Sequence, residues 1–244
     1  MSILGIVTKQ NASSLLLKGL KVSQSGTSDD VGLGMITTQR RFSLLVSSNW
    51  QTLQDVLSTR PTPLPLGIAY HAARNELSID AQPQLEASEE VALVYTGTLD
   101  NAQYLRKKLQ NLGYHFENQN HGKVVLHLLN RYLYLEQDIS PLEAMSLALA
   151  RLQGDFALII LFLQPEPLLL AACRGHSLAL GVYKDSLYVG SDLSVLKALC
   201  YFVVQLGEGN PMVLSSSTIS LASLSEIFPQ VDCKWSDKLD FAWK

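Results

Sequence analysis

Cysteine is scarce in this sequence, and its pattern excludes several kinds of site. The three cysteines, Cys173, Cys200 and Cys233, form no CxxC pair and no other metal-ligand spacing. The sequence therefore predicts neither a zinc site nor a disulfide framework. Since the cysteine count is odd and no secretory leader precedes the domain, we expect a reducing, cytoplasmic location.

Long apolar runs are also missing. The most apolar stretch covers 156–163 and is followed by the proline-containing stretch 164–167. It is far shorter than the roughly 20 residues that a helix needs to cross a bilayer. We therefore expect a soluble protein without membrane insertion.

Basic residues form no stripe along the chain. The net charge is −3 and the isoelectric point is about 5.9. Two short basic runs, 40–41 and 106–108, are typical of a solvated surface. A glycine-rich phosphate loop is absent as well. We therefore expect no nucleic-acid partner and no cofactor.

What the sequence does carry is enough apolar material for a sizeable core. Hydrophobic residues make up 47 % of the 244 residues, which suits one large domain or two small ones. Helix starts are predicted at Asn11, Asn49, Asp100 and Ser140, and prolines 61, 63 and 65 predict a loop. Strands come first, then helices, then strands again, an order that favours an α+β fold of two antiparallel sheets with helices outside. The predicted strands cover 1–7, 31–37, 42–46, 66–70, 91–96, 155–162, 168–173, 179–183, 187–190, 202–206, 212–214 and 219–221.

Several short motifs along the chain are informative when their order and spacing are taken together. They are Gly5-Ile6-Val7, Leu66–Tyr70, Val94–Asn101, Leu105–Tyr114, Leu152–Ala157, Gly190-Ser191-Asp192 and Leu206–Gly209. In these motifs the chain resembles the class II, or N-terminal-nucleophile, glutamine amidotransferases, in particular the glutaminase domain of glucosamine-6-phosphate synthases. The resemblance implies a four-layer α-β-β-α sandwich, with the amidotransferase-like domain at 1–222 and a C-terminal tail at 223–244.

The positions to which this resemblance assigns the chemistry hold other residues. Leu4 stands where the family has its nucleophilic cysteine, and Ala72 stands where an arginine clamps the substrate carboxylate. Thr96 replaces the asparagine of the oxyanion pair, although Gly97 remains, and His121 replaces the acidic residue that holds the glutamine amino group. Attack on an amide needs an activated nucleophile and oxyanion donors together. We therefore expect no catalytic residues, and a pseudoenzyme rather than an enzyme.

Two other readings of these positions stay open. The remodelled pocket could hold a small ligand, which would make the protein a sensor. Alternatively, Ser2 could act as the nucleophile, because removal of Met1 would leave a serine with a free α-amine. Ser2 lies two residues before the family position, on the same face of the strand but roughly 6–7 Å away. Arg74 could replace the missing arginine only if its loop shifts, and His71 and His121 are more typical of structural histidines than of metal ligands.

The composition of the C-terminal tail predicts a protein-binding surface. Trp235, Phe241 and Trp243 lie among charged residues, and aromatic anchors of this kind are enriched at protein interfaces. They can pack on the domain itself or on a partner. We therefore expect a protein-interaction or scaffold subunit of a larger assembly, with a bacterial secretion-system coupling complex as one candidate.

Overall fold

The computed structural model describes residues 2–23, 29–37, 41–47, 50–58, 63–73, 83–85, 90–135, 139–163 and 166–215. The predicted strand at 219–221 and the predicted helix start at Asn49 lie outside these ranges. The helices are α1 (Ala12–Ser23), α2 (Trp50–Ser58), α3 (Ala102–Gln110), α4 (His121–Leu135), α5 (Pro141–Leu149) and α6 (Leu193–Leu199). The strands are β1 (Ser2–Thr8), β2 (Asp29–Thr37), β3 (Phe42–Ser47), β4 (Pro63–Ala73), β5 (Gln84–Leu85), β6 (Val91–Gly97), β7 (Phe156–Phe162), β8 (Leu168–Arg174), β9 (Ala179–Tyr183), β10 (Ser186–Gly190), β11 (Phe202–Gln205) and β12 (Met212–Leu214).

The strands form two sheets. Sheet 1 has seven strands in the order β11-β9-β10-β1-β4-β2-β3, and sheet 2 has five in the order β12-β8-β7-β6-β5. Neighbouring strands within each sheet pair antiparallel, as in β1 with β4 and β6 with β7. Strand β1 is central in sheet 1, so the start of the chain lies between β4 and β10.

Three apolar clusters hold four layers together. The first lies between the sheets, with Ile3 and Ile68 from sheet 1 facing Ile159 from sheet 2. The second packs α3, α4 and α5 on the outer face of sheet 2. The third packs α1, α2 and α6 on the outer face of sheet 1. This arrangement confirms the predicted α-β-β-α sandwich, because each sheet buries one face on the other sheet and one face under helices.

Local chemistry explains the start of α5. The Ser140 hydroxyl accepts a hydrogen bond from the Glu143 backbone N–H at 3.2 Å, and the Glu143 carboxylate accepts one from the Ser140 N–H at 3.0 Å. This reciprocal capping box confirms the helix start predicted at Ser140. The hydrogen bonds from Ser140, that of its hydroxyl above all, lower the pKa of Glu143.

Several element boundaries differ from the prediction, and two of them have a clear physical reason. Helix α3 begins at Ala102, so Asn101 and not Asp100 precedes it. The Asn101 side chain bridges the 151–153 loop instead, donating to the Arg151 carbonyl at 2.8 Å and accepting from the Gln153 N–H at 3.1 Å. Local cap preference was overridden because that distant loop competes for the asparagine amide.

Strand β4 also extends into the segment that its prolines marked as a loop. Its pairing with β1 stops at Leu66, while Pro63 still pairs with Thr37 of β2 after a register shift. Proline is tolerated in a strand where one side lacks a ladder partner or where a bulge interrupts the register. None of the helices within the described ranges is long and apolar enough to span a membrane.

Candidate functional site

Hydrogen bonds bring the start of β1 and the end of β6 to the same end of the sandwich. Ile3 exchanges two hydrogen bonds with Ser191: its N–H donates to the Ser191 hydroxyl and its carbonyl accepts from the Ser191 N–H, both at 3.1 Å. The Ser177 hydroxyl donates to the Ser191 carbonyl at 2.7 Å. Two residues before Ser177, Gly175 forms a bridge with Phe156, the residue paired with Gly97 at the end of β6. Leu4 and residues 96–97, which the resemblance assigns to the chemistry, therefore lie at the end of the sandwich where β1 starts and β6 ends.

Leu4, which the sequence resemblance aligns with the family's nucleophile, is an apolar core residue. Its side chain is 6 % exposed and belongs to the cluster between sheet 1 and its helices. It lies over two glycines: a Cβ on Gly19 would be 2.4 Å from one Leu4 methyl group, and a Cβ on Gly190 would be 3.1 Å from the other. The glycines thus make room for a leucine, and no nucleophilic atom is present at this position.

A hydrogen-bonded series of polar side chains lies two residues earlier on the same strand. Ser2 is the cross-strand partner of His71 on β4. The hydroxyls of Ser2 and Ser23 are 2.8 Å apart, and the Ser23 hydroxyl is 3.1 Å from His71 Nδ1. Ser23 is the last residue of α1, so the helix end links the two strands. We call Ser2, Ser23 and His71 the serine relay.

The relay sits in a largely buried setting on the helix-facing side of sheet 1. His71 is 5 % exposed, and Ser2 and Ser23 are half-buried. Side chains alternate along a strand, so Ser2 faces the same side as Leu4. A crevice with a volume of about 10 Å³ lies beside Ser2. It is lined by Ser2, Ile3, Leu4, Gly19, Leu20, Ser23, Gly190, Asp192 and Val195.

Thr96 and Gly97, which the sequence resemblance aligns with the family's oxyanion pair, lie at the end of β6. Thr96 is 2 % exposed and shares a face of the strand with Ala92 and Val94, which belong to the cluster between the sheets. Gly97 has a φ of 109°, and a Cβ there would lie 2.2 Å from the Asp155 carbonyl oxygen. Only glycine fits this position without a backbone shift.

His121 lies on the other side of sheet 2. It begins α4, and its ring packs edge-on to Tyr95 with centroids 6.4 Å apart. Tyr95 belongs to the cluster under the outer helices, whereas Ala72 is buried between the sheets. The residues at the aligned positions thus lie in different parts of the fold. Leu4 lies under the helices of sheet 1, Ala72 and Thr96 lie between the sheets, and His121 lies on the outer face of sheet 2. His71 and His121 are on different sheets and do not form one site.

Arg106 fixes the loop that leads into α4. It is buried, so the prediction that the whole basic run 106–108 is solvated was wrong for this residue. Arg106 donates to the carbonyls of Asn118 at 2.6 Å and Asn120 at 3.3 Å, and its guanidinium carbon is 4.5 Å from the centre of the Phe116 ring. The Asn120 side chain then accepts from the Lys123 N–H at 3.0 Å, which caps the helix. His121 is thus held in place by contacts in the preceding loop.

Some sequence-predicted residues cannot be placed. The structure does not describe Arg74, Trp235, Phe241 or Trp243. The idea that Arg74 replaces the missing arginine therefore stays a prediction, as does the partner-binding role of the three aromatic residues. Among the residues that the structure does describe, no group of three or more His, Cys, Asp or Glu side chains could hold a metal ion. Ser23 is the residue that sequence reasoning missed, because nothing in its neighbourhood marks it as functional.

Comparison with known proteins identifies the family. The profile of the glutamine amidotransferase domain matches residues 71–198, which is more than half of the chain. The chain therefore belongs to the glutamine amidotransferase domain family.

Among the curated relatives are two enzymes named glutamine–fructose-6-phosphate aminotransferase (isomerizing). The protein from Bartonella henselae is 29 % identical over 90 % of this chain and 36 % of its own length. The protein from Zymomonas mobilis is 30 % identical over 92 % of this chain and 37 % of its own length. The chain thus spans little more than a third of the length of these relatives.

Solved structures share the fold at lower identity. Glutamine phosphoribosylpyrophosphate amidotransferase from B. subtilis matches 91 % of this chain and 50 % of its own, with a TM-score of 0.67 and 16 % identity. A glutamine aminotransferase class-II domain protein from Silicibacter pomeroyi matches 88 % of this chain and 99 % of its own, with a TM-score of 0.54 and 12 % identity.

These comparisons overturn one expectation from the sequence. The prediction that the chain is not an enzyme is wrong, because it belongs to an enzyme family whose relatives are named as glutamine-dependent amidotransferases. The prediction came from aligned positions alone, chiefly from Leu4. Such an alignment does not register a polar series formed by Ser2, Ser23 and His71, which are far apart in the sequence.

Proposed function

We propose that this domain cleaves the side-chain amide of glutamine or of a closely related compound, with Ser2 as the nucleophile. The observation that carries the proposal is the serine relay, in which a serine hydroxyl on β1 is connected to a buried histidine through Ser23. A nucleophile linked to a base by hydrogen bonds is the usual arrangement for activating a hydroxyl. The glutamine amidotransferase family supports the choice of substrate.

The relay gives each side chain a distinct role. His71 with its proton on Nε2 accepts a hydrogen bond at Nδ1 from Ser23, and Ser23 accepts one from Ser2. As the Ser2 oxygen attacks the amide carbon, its proton passes to Ser23 and the Ser23 proton passes to His71. The return of a proton along the same path lets ammonia leave, and an ester to Ser2 remains.

Water completes the reaction. A water molecule attacks the ester carbonyl, gives a proton to the relay and releases glutamate, while the proton returns to Ser2. Leu4 serves as packing behind the nucleophile in this proposal, and its apolar side chain takes no part in the chemistry.

A glutaminase assay tests the proposal. We expect glutamate release from glutamine by the purified protein, loss of that release in Ser2→Ala, and a decrease on the order of 10²-fold in Ser23→Ala and His71→Gln, because both remove proton transfer. Ser14→Ala is the matched control, since the exposed Ser14 hydroxyl donates to the carbonyl of Asn11, the residue just before α1. Equal activity in Ser2→Ala and wild type, or no release by a folded wild-type protein, would reject the mechanism.

We propose, in addition, that the domain works as a subunit of a larger assembly. The observation that favours this role is the set of Trp235, Phe241 and Trp243 among charged residues, a composition typical of interface anchors. The proposal is independent of the serine relay, since a domain can carry an active site and a docking segment at once. Its test is given in the Discussion.

A further inference from the structure

Ser191 joins the start of β1 to the end of β10. The regular pairing of these two strands stops at Leu4 and Gly190, whereas β4 stays paired with β1 as far as Ser2. Ser191 is the first residue after β10 and is 8 % exposed. The peptide group between Ser2 and Ile3 therefore faces β4 on one side and Ser191 on the other.

The Ser191 side chain takes the place of its own carbonyl in the sheet. In a regular antiparallel pair, two opposite residues exchange two N–H···O=C hydrogen bonds. Ser191 makes one half of this exchange, because its N–H donates to the Ile3 carbonyl at 3.1 Å. The Ile3 N–H donates instead to the Ser191 hydroxyl, also at 3.1 Å. A hydroxyl at position 191 thus extends the support of β1 by one residue beyond the regular ladder.

The backbone around Ser191 is itself fixed. Its carbonyl accepts a hydrogen bond from the Ser177 hydroxyl at 2.7 Å. The next residue, Asp192, caps α6, and its carboxylate accepts from the N–H groups of Ser194 at 2.9 Å and Val195 at 3.2 Å. Ser191 is thus held by a neighbouring loop and by a helix start, which makes its hydroxyl a well-placed acceptor.

This support acts on the residue that carries the nucleophile of the proposed reaction. A peptide group is planar, so a fixed Ile3 N–H fixes the plane that begins at the Ser2 Cα atom. The 2.8 Å distance between the Ser2 and Ser23 hydroxyls depends on where that Cα atom lies. The end of a strand otherwise frays more easily than its centre. Ser191 therefore restricts the position of Ser2 through the backbone of Ile3.

We propose that Ser191 is a positioning residue for Ser2. By accepting the hydrogen bond from Ile3, its hydroxyl keeps Ser2 in place for proton transfer to Ser23 and for attack on the amide. The inference rests on the proposed function, because Ser2 needs accurate placement only if it is the nucleophile. Misplacement of a reacting group by about 1 Å can lower a rate on the order of 10²-fold. This assignment gives the motif Gly190-Ser191-Asp192 a part in the chemistry that the family resemblance does not.

Steady-state kinetics of glutamate release from glutamine test the inference. Ser191→Ala removes the acceptor, and we expect kcat to fall about 10- to 100-fold while KM changes less than about threefold, since no substrate contact is lost. Ser191→Thr restores a hydroxyl and should recover most of the lost kcat. Exchange of the Ile3 amide hydrogen, followed by NMR, should be faster in Ser191→Ala than in wild type, because its acceptor is gone.

Two further serine-to-alanine variants separate positioning from general effects. Ser194→Ala changes an exposed residue on α6 and should have wild-type kinetics. Ser140→Ala breaks the capping box of α5 and destabilises the domain on the far side of sheet 2, and it should keep wild-type kcat while folded. If Ser191→Ala does not fold, Ser191→Cys provides the same test, because a thiol is a weaker acceptor and should give a smaller loss of kcat. Circular dichroism establishes that each variant is folded.

The outcomes distinguish this inference from the proposed function. Wild-type kcat in folded Ser191→Ala or Ser191→Cys would overturn the positioning role and leave Ser2 as the nucleophile. An equal loss of kcat in Ser140→Ala, or a rise in KM with unchanged kcat, would overturn it as well. No glutamate release by the wild-type protein would reject the proposed function itself, and the positioning role with it.

Discussion

Leu4 and Gly19 fit together as a matched pair, because the space that a side chain on Gly19 would need is filled by Leu4. An ideal Cβ on Gly19 would be 2.4 Å from the Leu4 Cδ2 atom, closer than real Cβ contacts allow. A side chain at position 19 would therefore force the Leu4 side chain or α1 to shift. The packing of α1 on β1 places Ser23, one turn further along α1, within hydrogen-bond distance of Ser2.

Gly19→Ala should lower the free energy of unfolding by up to about 2 kcal/mol. The added methyl group overpacks the Leu4 contact at a cost of about 1–3 kcal/mol, and the gain in helix propensity offsets about 1 kcal/mol of that cost. Urea denaturation measures the change. Gly207→Ala is the control, since a Cβ at Gly207 meets nothing within 4 Å. If Gly19→Ala is as stable as wild type, or if Leu4→Ala does not relieve its effect, the close packing is refuted.

Arg106→Met should destabilise the domain by about 2–3 kcal/mol, because it removes a charged donor from the carbonyls of Asn118 and Asn120. Methionine keeps much of the apolar contact with Phe116, so the loss reports mainly on the hydrogen bonds. Thermal and urea unfolding measure it. Arg151→Met, at an exposed side chain, should change stability little. Equal effects of the two substitutions would contradict the role assigned to Arg106.

Cys200 should make the protein sensitive to alkaline pH. Burial raises the pKa of the Cys200 thiol to about 12, whereas a thiol in the unfolded chain ionises near its ordinary value of about 8.5. The unfolded state therefore loses its proton first, and stability falls as the pH rises between these two values. From pH 8 to pH 10 we expect wild type to lose about 1–2 kcal/mol more than Cys200→Ala, measured by urea denaturation under reducing conditions. Parallel pH profiles would contradict this prediction.

The tail prediction is tested by substituting Trp235, Phe241 and Trp243 with alanine. If these side chains anchor a partner, the variant should lose proteins that co-purify with the wild type while its melting temperature stays unchanged. Truncation after Ser223 should have the same effect. A lower melting temperature with unchanged co-purification would instead mean that the tail packs on its own domain, and the partner proposal would fail.

The layered fold could be read from the sequence because its signals are local. The helix start predicted at Ser140 depends on neighbouring residues, and the structure has a helix start there, closed by a capping box. The boundary at Asp100 failed because the Asn101 side chain is used by the distant loop at 151–153. Propensity describes a residue's neighbours in sequence, and tertiary contacts outside that window override it.

The candidate site could be predicted only in part for the same reason. Ser2 and His71 were noticed separately, but only the β1–β4 register shows that they are cross-strand partners. Ser23 is separated from Ser2 by 21 residues and from His71 by 48, and no motif connects the three. Leu4, in contrast, was identified because it aligns with the family's nucleophilic cysteine. That alignment suggested a loss of activity, which the family comparison does not support.

Covalent labelling by 6-diazo-5-oxo-L-norleucine, a diazoketone analogue of glutamine, tests the central claim most directly. The serine relay predicts one adduct on Ser2, mapped by peptide mass spectrometry, that excess glutamine suppresses. The adduct should be absent from Ser2→Ala, strongly reduced in Ser23→Ala and His71→Gln, and unchanged in Ser14→Ala. No adduct on Ser2 in the folded wild-type protein, or an adduct on another residue that glutamine suppresses equally well, would contradict the assignment of Ser2 as the nucleophile.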